Sequence, residues 1–555
     1  MNFDHFDVIV VGSGGGGGAS AWRLATRGLR VLVLEAGKRF DPLRDYKLDT
    51  PAWEVSEFPE KPGSQGRYTF APMQTLDATS SDLRSWNAVS GPVNQTQSRQ
   101  VANGGYQHVR GVGGSTLRYT GEAHRLHPES MKMKTRFNVA ADWPMDYATL
   151  EPFYAQAEKI TGVAGPINAG ARWRSTPFPL PAHRLSKASR KLEYGATQLG
   201  MHWTANSRAA LSEAYDNRPP CNYCGNCNRG CPRMDKGSVD ITYIPKAVAT
   251  GRCTILTDHC VTRLIANGRK VTHLVCVDNK GQSVRIPVKR LILACGAIET
   301  PRLLLASAYD KAPNGLANES GQVGKNFMET LSWVSTGMLS EPIESFKGLP
   351  ADSISWDFNK PDAIPNVIGG CRFSSALQES GLNGPINYAT RVVSGFGKEH
   401  KERMRQAIGQ AISVGGIGEF LPNDKTYIDL DPQAKDAFGI PLARIHSELA
   451  ESDLARLRFM ADMCRKILKA AGVTQIVEEY GTVDFFNSTH VFGTCRMGTD
   501  PGDSVVDAFG RSHSLDNLSI CDASIFPSSG GGESPSLTIA ALAIRNADAI
   551  IDQLK

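Results

Sequence analysis

The chain has 555 residues, 41% of them hydrophobic and 21% charged, with a formal net charge of +5. That length accommodates more than one domain and a large core. The charge is too small for the length to suggest a nucleic-acid-binding protein, and no run of about 18 apolar residues suggests a membrane span.

The opening residues, MNFDHFDVIVVGSGG, lack the basic start of a secretory signal, and their apolar run leads straight into glycines. No export signal is expected from them. Phe6 to Val11 predicts a short buried parallel strand. In the glycine run that follows, Gly12, Gly14 and Gly17 fit G-x-G-x-x-G. Ala19 to Arg27 predicts a helix with Gly28 as its stop, and Val31 to Leu34 a second strand ending at Glu35. The first glycine of such a loop permits a tight turn, the second lets the backbone approach a pyrophosphate, and the third lets helix and strand pack closely. The helix N-terminus then presents unpaired N–H groups to the phosphates. Glu35, about 20 residues on, suits the ribose hydroxyls and disfavours a 2′-phosphate. A Rossmann-like dinucleotide-binding unit at the start of the chain is the expectation.

Further on, Arg110 to Thr116 (RGVGGST) forms a second glycine-rich loop, with Gly113, Gly114 and Ser115. Asp142-Trp143-Pro144 predicts a turn, and Leu150 to Val163 a helix. Cys221, Cys224, Cys227 and Cys231, followed by Pro232, are spaced C-x2-C-x2-C-x3-C-P. Zinc usually takes two separated C-x2–4-C pairs with a long spacer. Disulfides would need an oxidising compartment and give no reason for the spacing. The run is that of bacterial ferredoxins, so an iron–sulfur cluster fits best. With a single such run, either all four cysteines hold a 4Fe–4S cluster or three hold a 3Fe–4S cluster. The remaining eight cysteines lie in apolar contexts and read as small buried hydrophobes. Leu291 to Leu305 predicts a buried strand, a turn and a helix start, and Asp424 to Ile440 a strand and turn. Leu454, Leu457, Ala461, Cys464, Leu468 and Ala471 form the apolar stripe of a core helix closed by Gly472. His490 precedes Gly493-Thr494-Cys495-Arg496-Met497-Gly498 on an irregular loop, and Leu518 to Leu537 reads LSICDASIFPSSGGGESPSL. A histidine suits the removal of a hydroxyl proton during alcohol oxidation, because its pKa lies near neutrality.

Together these motifs, in this order along the whole chain, resemble the glucose–methanol–choline (GMC) family of FAD oxidoreductases. Within it, the chain is similar to the large subunits of iron–sulfur sugar and polyol dehydrogenases. The resemblance implies an α/β (α+β overall) fold. It pairs a Rossmann-like FAD-binding domain with a substrate domain built on an antiparallel sheet flanked by helices. Residues 1–45, 100–125, 232–310 and 480–555 would form the discontinuous FAD domain. Residues 46–99, 126–231 and 311–479 would form the substrate and cap domain, with the cysteine-rich loop at 221–232. Gly113 and Gly114 would lie against the flavin or its pyrophosphate, Asp522 and Ala523 near the ribityl chain and pyrophosphate, and Val261 near the adenine. His490 matches the family's catalytic histidine. Ser534 stands where members usually carry Asn or His; it can donate to the substrate alkoxide but is no base near neutral pH. Asn487 or a tyrosine is the alternative second contact. Arg118 occupies the place where some members attach FAD through a histidine, so non-covalent FAD is expected.

The implied reaction is hydride transfer from a CH–OH group of a sugar, glycoside or polyol to flavin N5. The cluster would then relay electrons singly to a cytochrome or quinone. The alternative is oxidation of long-chain or aromatic alcohols, by a dehydrogenase or oxidase with structural zinc or no cluster. A small chaperone-like subunit is an expected partner. Localisation would be cytoplasmic, or periplasmic if a signal-bearing partner carries the chain.

Overall fold

The computed structural model describes residues 3–49, 68–101, 106, 108–167, 172–378, 380–382 and 384–554. Parts of the expected domain spans, notably 50–67 and 102–105, lie outside the described residues.

Five short strands build a parallel sheet. Its order is Leu518–Ile520, Leu291–Leu293, Val8–Val11, Val31–Leu34 and Cys253–Leu256. Val8–Val11 and Val31–Leu34 are buried along their whole length, which is why they read as unbroken Val, Ile and Leu runs. The first helix spans Gly15–Thr26 and starts inside the glycine run, four residues before the predicted Ala19, with Arg27 as C-cap and Gly28 at φ +96°. Helix Ser536–Leu554 packs across it and against helix Tyr147–Thr161. A three-stranded antiparallel sheet (His259–Asn267, Lys270–Asp278, Ser283–Pro287) follows the last of the early parallel strands.

The second layer is an eight-stranded antiparallel sheet. Its central strands are Gln475–Gly481, Leu331–Met338, Ala411–Gly418 and Cys371–Ser375. Helix Glu451–Ala470 covers it. The predicted stripe is the buried face: Leu454, Leu457, Ala461, Cys464 and Leu468 are joined by Met460 and Ile467. The Asp453 carboxylate accepts from Ala450 N–H at 2.9 Å and so fixes the helix start. Gly416 leaves room for Met460: a Cβ there would stand 2.9 Å from the sulfur. A smaller sheet joins Tyr427–Lys435, Pro441–His446 and Tyr68–Phe70. Among the described residues, no helix is long and apolar enough to cross a membrane.

Candidate active site

A single cavity of about 810 Å³ runs from the carboxyl ends of the parallel strands to the face of the eight-stranded sheet. At one end the two glycine loops meet. Gly12 has φ +93°, a conformation L side chains rarely adopt, and its Cβ would stand 2.5 Å from the Ala294 carbonyl oxygen. A Cβ on Gly114 would lie 2.8 Å from the Gly14 Cα, so the loops touch backbone to backbone. Glu35 is 6% exposed. Its carboxylate accepts from Ser13 N–H (3.0 Å), Ser13 Oγ–H (2.6 Å) and Gly37 N–H (2.9 Å). Burial pushes its pKa up against these donors. Ser13 Oγ also accepts from Gly113 N–H at 3.2 Å, tying the first glycine loop to the second. Gly12, Gly14, Glu35, Gly114, Ser115, Val261, Asp522 and Ala523 all line the cavity. Gly17 and Gly113 stand behind the wall: a Cβ on Gly17 would strike the Gly12 carbonyl oxygen at 1.9 Å, and Gly113 faces Leu117 and Asp240. Asp522 accepts from Gly296 N–H (2.9 Å), Thr300 Oγ–H (2.6 Å) and Ser524 N–H (2.9 Å). It therefore fixes the start of helix Gly296–Ala306, and burial raises its pKa.

The far end holds His490. Its loop is pinned to the sheet by Thr330, whose Oγ accepts from His490 N–H (2.6 Å) and donates to His490 C=O (3.0 Å). Asn487 donates to Ser332 Oγ at 2.9 Å, which commits its amide to the central strand Leu331–Met338. Ser534 lines the same cavity. Its hydroxyl, expected to face a substrate alkoxide as a donor, instead gives its proton to Glu122 Oε2 at 2.7 Å.

Glu122 is the residue that sequence reasoning missed. Its Oε2 also accepts from Arg372 Nη2 (2.7 Å), and its Oε1 from Asn206 Nδ2 (2.8 Å). Burial alone would raise its pKa; the Arg372 guanidinium, helped by Arg208 and the Ser534 hydroxyl, outweighs that and holds the carboxyl far below the usual range. His124 accepts Ser534 N–H on Nδ1 (3.1 Å) and pairs through Nε2 with Asn206 Oδ1 (2.8 Å), which places its proton on Nε2. Burial pushes its pKa down to about 3. The one available sequence signal was the pair Glu122 and His124 a few residues beyond the GGST loop. Asn206 and Arg372 carry no local signature.

The cysteine loop abuts this cavity. Cys227 is buried, Cys221 and Cys231 are half-buried, Cys224 is exposed, and all four thiols are free. None of the four lines the cavity, but Gly225 and Asn228 between them do. Lys236, 1% exposed, donates to the carbonyls of Cys227 (2.7 Å), Leu117 (2.9 Å) and Tyr119 (3.2 Å). Arg118 Nε donates to Asn228 C=O at 2.9 Å. The loop is thus tied to the GGST loop. Burial raises the Cys227 thiol to about 11, opposed by Arg208 and Lys236. These cations would offset the charge of ligated thiolates, and the donors are of the type an iron–sulfur cluster takes. Among the described residues, no three His, Cys, Asp or Glu side chains are grouped to hold a metal ion. The donor chemistry therefore fits a cluster, whereas the placement of the side chains does not form a ready single-ion site.

The fold and the cavity define a dinucleotide-binding protein. Residues 129–331 and 422–543 match two family models, both described as GMC oxidoreductase, and residues 7–41 match one described as FAD binding domain. The two GMC matches together cover more than half of the chain. The chain belongs to the GMC oxidoreductase family, and its dinucleotide is FAD. It is 28% identical to 2-methyl-1,2-propanediol dehydrogenase from Mycolicibacterium austroafricanum, over 99% of this chain and 95% of the relative. It is 29% identical to the fructose dehydrogenase large subunit from Gluconobacter japonicus, over 99% of this chain and 98% of the relative. The structure of pyridoxine 4-oxidase from Mesorbium loti superposes with a TM-score of 0.62 at 20% identity, covering 98% of this chain and 99% of that one.

Proposed function

We propose that this protein is a dehydrogenase that oxidises a CH–OH group of a sugar, glycoside or polyol and passes the electrons to an external acceptor through an iron–sulfur cluster on Cys221, Cys224, Cys227 and Cys231. FAD, when bound, supplies the hydride acceptor. The glycine loops, Glu35 and Asp522 shape the dinucleotide end of the cavity. His490 stands at the other end on a loop locked by Thr330 and takes the hydroxyl proton. Ser534 is the second contact. Two relatives whose names specify a sugar and a diol support the substrate class.

The observation that carries the relay is that Gly225 and Asn228, inside the cysteine run, line the same cavity as His490. A cluster held there would border that cavity, joined to the GGST loop by Lys236. The test is iron and acid-labile sulfide on anaerobically purified protein, with its visible spectrum. About three to four irons per flavin is the expected result. Zinc, or no metal, would overturn the relay. Because no three His, Cys, Asp or Glu side chains among the described residues are grouped to hold a metal ion, a second reading is an alcohol oxidase without a cluster; stoichiometric peroxide from oxygen would identify it.

A further inference from the structure

We infer that Ser534 serves the substrate as a hydrogen-bond acceptor, locked in that role by Glu122 and Arg372, so that the site selects substrates bearing a second hydroxyl beside the reacting carbinol. This rests on the proposed alcohol oxidation at His490.

A carboxylate can only accept, so the 2.7 Å bond between Ser534 and Glu122 consumes the serine proton. Glu122 is not free to reverse the arrangement. Arg372 donates to the same Oε2 at 2.7 Å and is itself held by Gly532 C=O (2.7 Å) and Ser374 Oγ (2.8 Å). Asn206 donates to Oε1, and its amide is oriented because it also donates to Ala351 C=O at 2.9 Å. The main chain of Ser534 is fixed in turn by His124 Nδ1. The chain of orientation thus runs from Ala351 through Asn206 and Glu122 to Ser534. What remains at Ser534 Oγ is its lone pairs, and Ser534, Glu122 and Arg372 all line the cavity that His490 lines.

A substrate with a single hydroxyl gives its O–H to His490 and has nothing to offer this acceptor, which is then desolvated without a partner. A vicinal diol satisfies both. Sites built around such a bond reject analogues that lack the donor. Glu122 is a positioning residue here: it acts through Ser534.

The test is anaerobic flavin reduction in the holoenzyme by three substrates of one carbon skeleton: a vicinal diol, the analogue with fluorine replacing the second hydroxyl, and the mono-alcohol. Fluorine accepts but cannot donate. An acceptor at Ser534 predicts that kcat/KM for the diol exceeds both analogues by about 10-fold or more. It also predicts that Ser534→Ala and Glu122→Gln each narrow the diol-to-fluoro ratio. If the diol and fluoro analogue reduce the flavin equally well in the wild type, the inference is wrong and the proposed function stands. If none of the three reduces a flavin that dithionite does reduce, the proposed function falls and takes this inference with it.

Discussion

The proposed reaction end of the cavity is a place where a few side chains fix one another's protons. His490 is held by its backbone, through Thr330, while its ring is the only imidazole of the motif that the sequence assigned to proton removal. Its replacement by alanine should lower alcohol-driven flavin reduction by about 10²–10⁴-fold. Bound flavin, measured by absorbance, should persist, because the glycine loops do not involve His490. Full turnover in that variant would remove His490 from catalysis. His124 has a different role. It is neutral in the fold, with a pKa pushed down to about 3, whereas in the unfolded chain it titrates near 6.5. Between those values the unfolded state binds a proton that the folded state refuses, so stability is complete above about pH 6.5 and is lost as pH falls toward 3. Glu122, also depressed, adds loss in the same direction at the acid end. Melting temperature against pH should fall through this window in the wild type and fall less steeply in His124→Gln. Equal slopes would contradict the assignment. The sequence contained Glu122 and His124 in plain view, but nothing in it announced that an arginine 250 positions away would hold the glutamate charged.

At the scale of elements, the first strand–loop–helix–strand unit was legible because its determinants are local: apolar runs, a glycine turn and a helix stop within some thirty residues. The helix nevertheless starts at Gly15, not Ala19. Glycines are poor helix formers, and close packing overrides that propensity here: a Cβ on Gly16 would stand 1.6 Å from the Cys521 carbonyl oxygen. The cysteine loop was legible as a run of thiols, yet its attachment was not. Lys236 gives all its hydrogen bonds to carbonyls of the cysteine and GGST loops, and burial pulls its ammonium pKa down. Lys236→Met should leave these carbonyls unpaired and cost roughly 3 kcal/mol. Denaturant melts with flavin content as a second readout would show it. Unchanged stability and flavin content would mean that the two loops hold together without the lysine.

For the molecule as a whole, the cavity belongs to two sheets at once. Glu35 follows a parallel strand, while Ser374, Val334 and Gly416 project from the antiparallel sheet. A ligand filling it would bridge both layers. The strands of the parallel sheet come from three widely separated stretches of chain, and the antiparallel sheet interleaves with them. Its strands come from positions 86 through 481, with Thr204–Ala205 reaching its far edge.

By itself the sequence determined the dinucleotide unit, the family, the candidate base His490 and the thiol run. Each is written in contiguous residues whose spacing has a direct mechanical meaning. Only the tertiary structure decided which way the Ser534 proton points, because that depends on Glu122, Arg372 and Asn206, brought together from three distant segments in a buried site where a fixed charge dominates. It also decided that the cysteine loop borders the cavity, since no sequence spacing records which loops a buried lysine will join.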